Sequence, residues 1–372
     1  GIHNGLLLYA QSEDELATVL AHEIAHLSQR HFSRGVEQRQ NMAPFTYAAM
    51  LASFVLMATV GGDVGMAALS ATQAAAQDSA LRYSRGNESE ADRVGMQTMV
   101  KAGLDPHAAP AMFERMLQAS RYAGGGHIPE FMRTHPLSEN RIADTSNRAR
   151  EHPKQIRPQK LEFQLMRARV ANHLADTPAE AIQKFRGELE GTPVSREAAR
   201  YGLVLALTDA GRANEASLEL DSIWSQNSDR VEYVIADAEI DMARNQPEKA
   251  ADKLTAHLKL SPGNHALTMT YAKALMENQQ AHVAEEVLIA QSKIKPGDPG
   301  LWYLLAEVQG LSGNIVGLHL SRAEYFILSG FLDQAEKQLM YALKLTRSDY
   351  VTNAKIHQRI QDIEALRGKM EL

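Results

Sequence analysis

The chain has 372 residues, contains no cysteine and carries a formal net charge of −6. Its length favours two domains. The lack of thiols excludes a disulfide framework, an iron–sulfur cluster, a thiolate zinc site and a cysteine nucleophile. A nucleic-acid-binding protein normally shows a strong basic excess, so the acidic balance argues against nucleic acid as a partner. Any transition-metal site must therefore use the 14 histidines together with carboxylates.

The first predicted elements are a short strand and a helix. The apolar run over residues 5–9 is interpreted as a buried strand, which would belong to a small sheet. Ser12 and Glu15 form a capping-box pattern, so a helix is expected to begin near Ser12. Because the sequence opens at Gly1 without an initiator methionine or a signal-peptide pattern, we expect a processed or truncated chain that lacks its targeting signal.

Residues 43–60 form a stretch of 18 positions without a charged side chain. That length is just enough to span a bilayer. Its threonines, its serine and its many alanines instead favour a helix packed in the domain, or a hydrophobic flap. A peripheral contact with a membrane is a third interpretation. A second, Ala-rich helix is predicted to run from about residue 63 to about Leu81.

The most specific motif is His22-Glu23-Ile24-Ala25-His26 on the first predicted helix. Each helical residue turns about 100°, so the two histidines lie about 40° apart and both imidazoles can reach one metal ion. Glu23 can then act on water at that ion as a general base, which is the pattern of zinc peptidases. The alternative is two ordinary histidines. His31 would lie about 180° from His22 on the same helix and is not expected to be a ligand.

Such a zinc site needs a third protein ligand, and two carboxylates are candidates. Glu88 and Asp92 are spaced at i and i+4, so they share one face of another predicted helix. One could bind the ion while the other accepts a hydrogen bond from the far nitrogen of a ligating histidine. Their spacing alone does not say which carboxylate has which role, and a solvated acidic helix face is the alternative.

A polar segment with two prolines, residues 151–160, is predicted to link residues 1–150 to a repeat region over 161–372. Ala216, Ala250 and Ala284 are spaced 34 residues apart, the period of tetratricopeptide repeats. Because the next matching alanine, Ala335, does not continue that spacing, one irregular repeat is expected. Such an array commonly binds peptides or proteins, although a scaffold or dimer spacer is the alternative.

Together, the HExxH motif and Glu88-Ser-Glu-Ala-Asp92 resemble the zinc metalloproteases related to HtpX, Oma and the CAAX prenyl endopeptidase. The repeats narrow the resemblance to the periplasmic BepA-like members. The resemblance implies that Glu88 is the third zinc ligand and that Asp92 orients a histidine. It also implies that family members carry a segment preceding Gly1, so the first domain is expected to be incomplete.

The resemblance also gives meaning to Thr134-His135-Pro136 and to Arg141. In BepA-like proteins a Thr-His-Pro loop lies over the active site. This implies that His135 is an additional zinc ligand that holds the enzyme at rest, or swings away to admit substrate. A loop-capping histidine is the alternative. In related enzymes a nearby arginine stabilises the oxyanion, and Arg141 is the candidate here.

The sequence therefore predicts a mainly α protein, a zincin-type domain of helices and a small sheet followed by an α-solenoid. Its expected activity is that of a gluzincin-like metalloendopeptidase with one Zn²⁺ per chain. The resemblance implies that its substrates are misfolded or stalled envelope proteins in the periplasm of a Gram-negative bacterium. The repeats would recruit unfolded outer-membrane proteins or their assembly machinery. The alternative function is a chaperone or adaptor whose protease site is silent or autoinhibited.

Overall fold

The structure, a computed structural model, describes residues 5–60, 62–122, 130–155, 157–224, 230–346 and 349–370. All regular elements in these ranges are helices, which confirms the mainly α fold. The predicted small sheet has no counterpart in the same ranges. The chain divides into two compact units, Gly1–Leu174 and Ala175–Leu372.

The described part of the first unit contains eight helices, and the central helix α2 packs against both α4 and α5. They are α1 (Gly5–Tyr9), α2 (Glu13–Ser28), α3 (His31–Thr59), α4 (Gly62–Lys101), α5 (Ala108–Tyr122), α6 (Glu130–Thr134), α7 (Glu139–Ala149) and α8 (Leu161–His173).

The segment predicted as a strand, residues 5–9, is the short helix α1, so that prediction is wrong. A short apolar run cannot be assigned by periodicity alone, and its three leucines are good helix formers. No strand lies in the described residues to pair with it. Instead Leu6, Leu7 and Tyr9 pack on a core that includes Met112 and Phe113 of α5.

The long helices α3 and α4 pack against each other. The Ala-rich segment does not end near Leu81, because α4 continues without a break to Lys101. Within the described ranges, α3 is the one helix that is long and apolar enough to cross a membrane by length and composition. Only 6% of its most apolar window is buried.

The second unit is built, in its described residues, from successive helices that each pack against the next. They are α9 (Pro178–Glu190), α10 (Arg196–Asp209), α11 (Ala213–Trp224), α12 (Val231–Ala243), α13 (Pro247–Leu260), α14 (His265–Glu277), α15 (Ala281–Ile294), α16 (Pro299–Ser312), α17 (Ile315–Leu328), α18 (Leu332–Leu345) and α19 (Tyr350–Met370).

Left-handed turn residues repeat with the period of the array. Gly211, Asn245, Gln279 and Gly313 have positive φ and are spaced 34 residues apart. Glycine and asparagine tolerate this conformation best, and each of these residues lies in the connection between two helices. The turn at a fixed offset therefore sets the 34-residue period.

Small residues mark the close helix contacts of this array. Ala216, Ala250, Ala284 and Ala335 are fully buried. Ala284 lies on α15 and Ala335 on α18, which is three helices further along the array. These helices have regular lengths, so the expected irregular repeat is not present in the described residues. The spacing changes because Ala284 lies on the second helix of the pair α14–α15, whereas Ala335 lies on the first helix of the pair α18–α19.

Candidate metal centre

Helix α2 carries the two motif histidines and Glu23. Its start is fixed by Ser12, whose hydroxyl accepts a hydrogen bond from the Glu15 N–H at 3.1 Å. The Glu15 carboxylate pairs in turn with Arg115 of α5. This anchoring leaves His22 buried at 1% exposure, whereas the Glu23 side chain stays 46% exposed.

Helix α4 brings Glu88 and Asp92 against the same histidines. The approach is close because Gly95 packs on the backbone of α2, where a Cβ would lie 3.1 Å from His22 N. Glu88 Oε2 lies 3.4 Å from His22 Nε2, and Glu88 Oε1 lies 3.3 Å from His26 Nε2. The two histidine Nε2 atoms are 3.0 Å apart. Each of the two imidazoles therefore directs its Nε2 atom at the Glu88 carboxylate.

His135 completes the cluster directly after α6. Its Nδ1 is 2.9 Å from Glu88 Oε1 and 3.4 Å from His22 Nε2. Its Nε2 lies 3.3 Å from Glu23 Oε1. The ring stacks on Phe131, and the His135 N–H donates to the Phe131 carbonyl at 2.8 Å. His135 thus lies between the ligand candidates and the candidate base.

The donor set of this cluster fits a metal ion. Ligand atoms of His22, His26, Glu88 and His135 all lie within 4.8 Å of one another. Bonds of about 2.0–2.2 Å place the ligand atoms of a tetrahedral zinc site roughly 3.3–3.5 Å apart, close to the separations found here. Glu88 Oε2 is buried and accepts no hydrogen bond, although Arg141 Nη1 lies 3.0 Å away. A buried carboxylate oxygen that accepts no hydrogen bond and already pairs with one cationic side chain is suited to bind a cation.

The electrostatics keep both carboxylates ionised. Burial opposes ionisation of Glu88, but contacts with His135, His22 and His26 outweigh it and lower its pKa. The pKa of Asp92 is lowered in the same way, because hydrogen bonds from His22 and Arg141 outweigh burial. Burial by itself would lower the pKa of His22, but Asp92 and Glu88 raise it.

Asp92 orients His22 and is itself held by Arg141. Asp92 Oδ1 lies 2.9 Å from His22 Nδ1, which leaves the Nε2 lone pair for the cluster. Arg141 Nε and Nη2 each donate to the Asp92 carboxylate at 2.8 Å, and Nη1 donates to the Pro136 carbonyl. The guanidinium also lies over the Phe113 ring. Its oxyanion role stays a prediction, since these contacts describe a positioning function.

One buried residue of this region was not expected from the sequence. His31 is 5% exposed, and its Nδ1 lies 2.9 Å from the Nδ1 of His26. The 180° separation assumed a continuous helix, but α2 ends at Ser28 and Arg30 adopts the left-handed conformation with φ 52°. The chain therefore turns and brings His31 behind His26. The unusual φ of an arginine is not visible in the sequence, although the nearby histidine itself is.

Comparisons with known proteins agree with this arrangement. Residues 1–149 match the Peptidase family M48, and residues 241–308 match the tetratricopeptide repeat. Over 371 residues the chain is 30% identical to the beta-barrel assembly-enhancing protease of Escherichia coli (strain K12), covering 100% of this chain and 75% of that protein. It is 31% identical over 370 residues to the Yersinia pestis protein of the same name, covering 98% and 75%.

A further group of relatives aligns with a smaller part of the chain. The mitochondrial metalloendopeptidase OMA1 of Saccharomyces cerevisiae is 32% identical over 149 residues, which covers 39% of each chain.

Proposed function

Since the chain belongs to the family of beta-barrel assembly-enhancing proteases, with an M48 peptidase domain and tetratricopeptide repeats, we propose that it is a zinc-dependent endopeptidase. Its proposed substrates are misfolded or stalled envelope proteins. The observation that carries the proposal is the cluster of four ligand atoms within 4.8 Å, with Glu23 beside it.

His22, His26 and Glu88 are proposed to hold one Zn²⁺. Bound zinc supplies a Lewis acid that polarises the scissile carbonyl and acidifies water. Glu23 accepts the proton of the attacking water at its carboxylate and transfers it to the leaving amine. Asp92 fixes the ring of His22, and Arg141 holds Asp92 in place.

The test of this activity is Glu23→Gln, measured by cleavage of casein or an unfolded porin together with zinc content. Loss of a general base costs about 10²–10⁴-fold in rate, and zinc content is expected to stay unchanged because Glu23 is not a ligand. A chelator is expected to abolish cleavage by the wild type. Glu37→Gln, an exposed glutamate of α3, is the matched control. Full activity of Glu23→Gln would contradict the assignment.

A second function, a chaperone or adaptor with an autoinhibited protease site, is favoured by the position of His135. Its Nδ1 faces the ligand cluster while its Nε2 lies within 3.3 Å of Glu23 Oε1. In this arrangement one side chain fills the position that water needs and also engages the base. His135 is then a fourth ligand that regulates access.

His135→Ala therefore raises the rate of proteolysis, because it frees both the fourth position and Glu23. His152→Ala serves as a control for a histidine outside the cluster. An unchanged or lower rate in His135→Ala would argue against autoinhibition.

The remaining proposals concern location and partners. The relatives that align with nearly the whole chain come from Gram-negative bacteria, which supports a periplasmic location. The name of those relatives supports outer-membrane proteins, or the machinery that assembles them, as partners recruited by the repeats. A basic excess is absent at a net charge of −6, which gives no support for nucleic-acid binding.

A peripheral membrane contact through residues 43–60 is proposed from the exposure of this part of α3. Phe45 is 71% exposed, Leu51 66% and Phe54 53%. Apolar side chains exposed on a helix favour a lipid surface. Flotation with anionic vesicles tests this contact, and replacing Phe45 and Phe54 by serine should abolish it.

A further inference from the structure

A hydrogen-bonded row of four side chains begins at His26 and leads away from the cluster. His26 Nδ1 and His31 Nδ1 are 2.9 Å apart, and His31 Nε2 lies 3.2 Å from Glu90 Oε2. Arg34 Nη1 donates to the same Glu90 oxygen at 3.2 Å. His31 is buried, whereas the Glu90 and Arg34 side chains are 28% and 47% exposed. This row of side chains therefore runs from the cluster to solvent.

Only one hydrogen can occupy the space between the two Nδ1 atoms. If His26 carries it, its Nε2 keeps a lone pair, and that atom faces Glu88 Oε1 and His22 Nε2. His31 then accepts at Nδ1 and holds its own hydrogen on Nε2, where it donates to Glu90.

The opposite arrangement is unfavourable at both ends. If His31 Nδ1 carried the hydrogen, His26 would present an N–H to the cluster and could not bind a cation there. His31 Nε2 would then present a lone pair to the Glu90 carboxylate, which offers only acceptors when ionised. The Glu90 anion therefore selects the tautomer of His31, and His31 selects that of His26.

We infer that His31 and Glu90 are positioning residues that act as a relay and fix His26 in its metal-binding tautomer. The inference rests on the proposed metal centre. The relay is the counterpart of Asp92, which contacts His22 directly at 2.9 Å. Each motif histidine thus has its own carboxylate, one in contact and one reached through a second imidazole. Hydrogen-bond partners of this kind typically contribute about 10–100-fold to metal affinity.

The first experiment measures zinc affinity of metal-stripped protein by competition with a chromophoric chelator. His31→Ala is expected to weaken zinc binding about 10–100-fold, because His26 loses its acceptor. His31→Asn restores most of the affinity, since its Oδ1 offers an acceptor at the place of Nδ1. Glu37→Ala, the control on α3, leaves affinity unchanged. Wild-type affinity in His31→Ala would overturn the inference.

A double-mutant cycle separates a relay from two independent supports. Glu90→Ala is expected to weaken zinc binding, and His31→Ala/Glu90→Ala to bind no more weakly than His31→Ala alone. Additive losses would overturn the relay. The visible absorption of the Co²⁺ form gives a readout independent of activity, and a changed ligand field is expected in His31→Ala but not in His31→Asn.

The same measurements separate the two levels of proposal. If the wild type binds zinc stoichiometrically and His31→Ala has the same zinc affinity, the relay alone is overturned. A wild type without stoichiometric zinc overturns the metal centre and the relay with it. The Glu90 side chain is partly exposed, so Glu90→Ala keeps the test valid if His31→Ala does not fold.

Discussion

The two units of the chain bury different kinds of side chain. Among the described residues, the first unit buries seven carboxyl or imidazole side chains, whereas Asp241 is the buried side chain of these two kinds in the second unit. The seven are Asp14, Glu15, His22, His31, Glu88, Asp92 and Asp105. The second unit is filled mainly by alanine, leucine and other aliphatic side chains.

This difference separates a site from a scaffold. Buried charges cost several kcal/mol each unless they are paired, so a cluster of them is rarely retained for stability. Aliphatic helix contacts, in contrast, stabilise every repeat in the same way. The first unit therefore holds the chemistry, while the second unit offers a regular framework.

The largest expected effect is confined to the first unit. Glu88→Gln removes the anion that three histidines surround, so zinc affinity is expected to fall by more than about 100-fold and peptidase activity to be lost. Calorimetry of the second unit should show no change. If Glu88→Gln still bound zinc stoichiometrically, the assignment of the metal site to the first unit would be contradicted.

A matched pair of glycines gives the next effect. A Cβ at Gly202 would overlap the buried Phe185 ring, so Gly202→Ala is expected to destabilise the second unit by about 1–3 kcal/mol with zinc affinity unchanged. Gly95→Ala should weaken zinc binding, because a Cβ there would lie 3.1 Å from His22 N. We expect α4 to shift away from α2 and to move Asp92 away from His22. Denaturant unfolding and chelator competition report the two effects.

These two variants also serve as controls for each other. Loss of zinc affinity in Gly202→Ala, or its preservation in Gly95→Ala, would contradict the assignment of site and scaffold to separate units.

The smallest expected effect is a pH dependence within the second unit. Burial opposes ionisation of Glu285, but hydrogen bonds from Ser312, Asn314 and Gln309 outweigh it and lower its pKa. Its stabilising contribution is therefore complete above the ordinary glutamate pKa of about 4.3 and is lost as the pH falls through the lower folded value. The contribution is less than about 1 kcal/mol, because the carboxyl is partly exposed.

Glu285→Gln tests this effect through unfolding midpoints at neutral and acidic pH. The gap between the wild type and the variant should narrow as the pH falls. A gap that stays constant would show that Glu285 contributes through packing alone.

Local helix geometry is what made part of the site predictable. The i, i+4 spacing of His22 and His26 needs no tertiary information, and the structure brings Glu88 and His135 to them. Only the family resemblance predicted that Glu88 and His135 join these histidines, although His22 and His135 are 113 residues apart. Spacing alone did not decide whether Glu88 or Asp92 is the ligand.

The errors arose where the chain changes direction or where a pattern is short. His31 was placed on the wrong side because the left-handed Arg30 interrupts the helix. Residues 5–9 were assigned to a strand because five apolar residues do not define a period. In the second unit, the 34-residue period was predictable because each repeat uses the same turn.

The distance along the chain between His22 and His135 has a consequence for folding. Helices α2 and α4 and the segment after α6 must all be in place before the four ligand atoms can converge, so an unfolded chain holds only isolated ligands. An ion bound by these side chains selects the folded first unit and raises its stability by RT ln(1 + [L]/Kd). Metal uptake would then report that the unit has reached its native state.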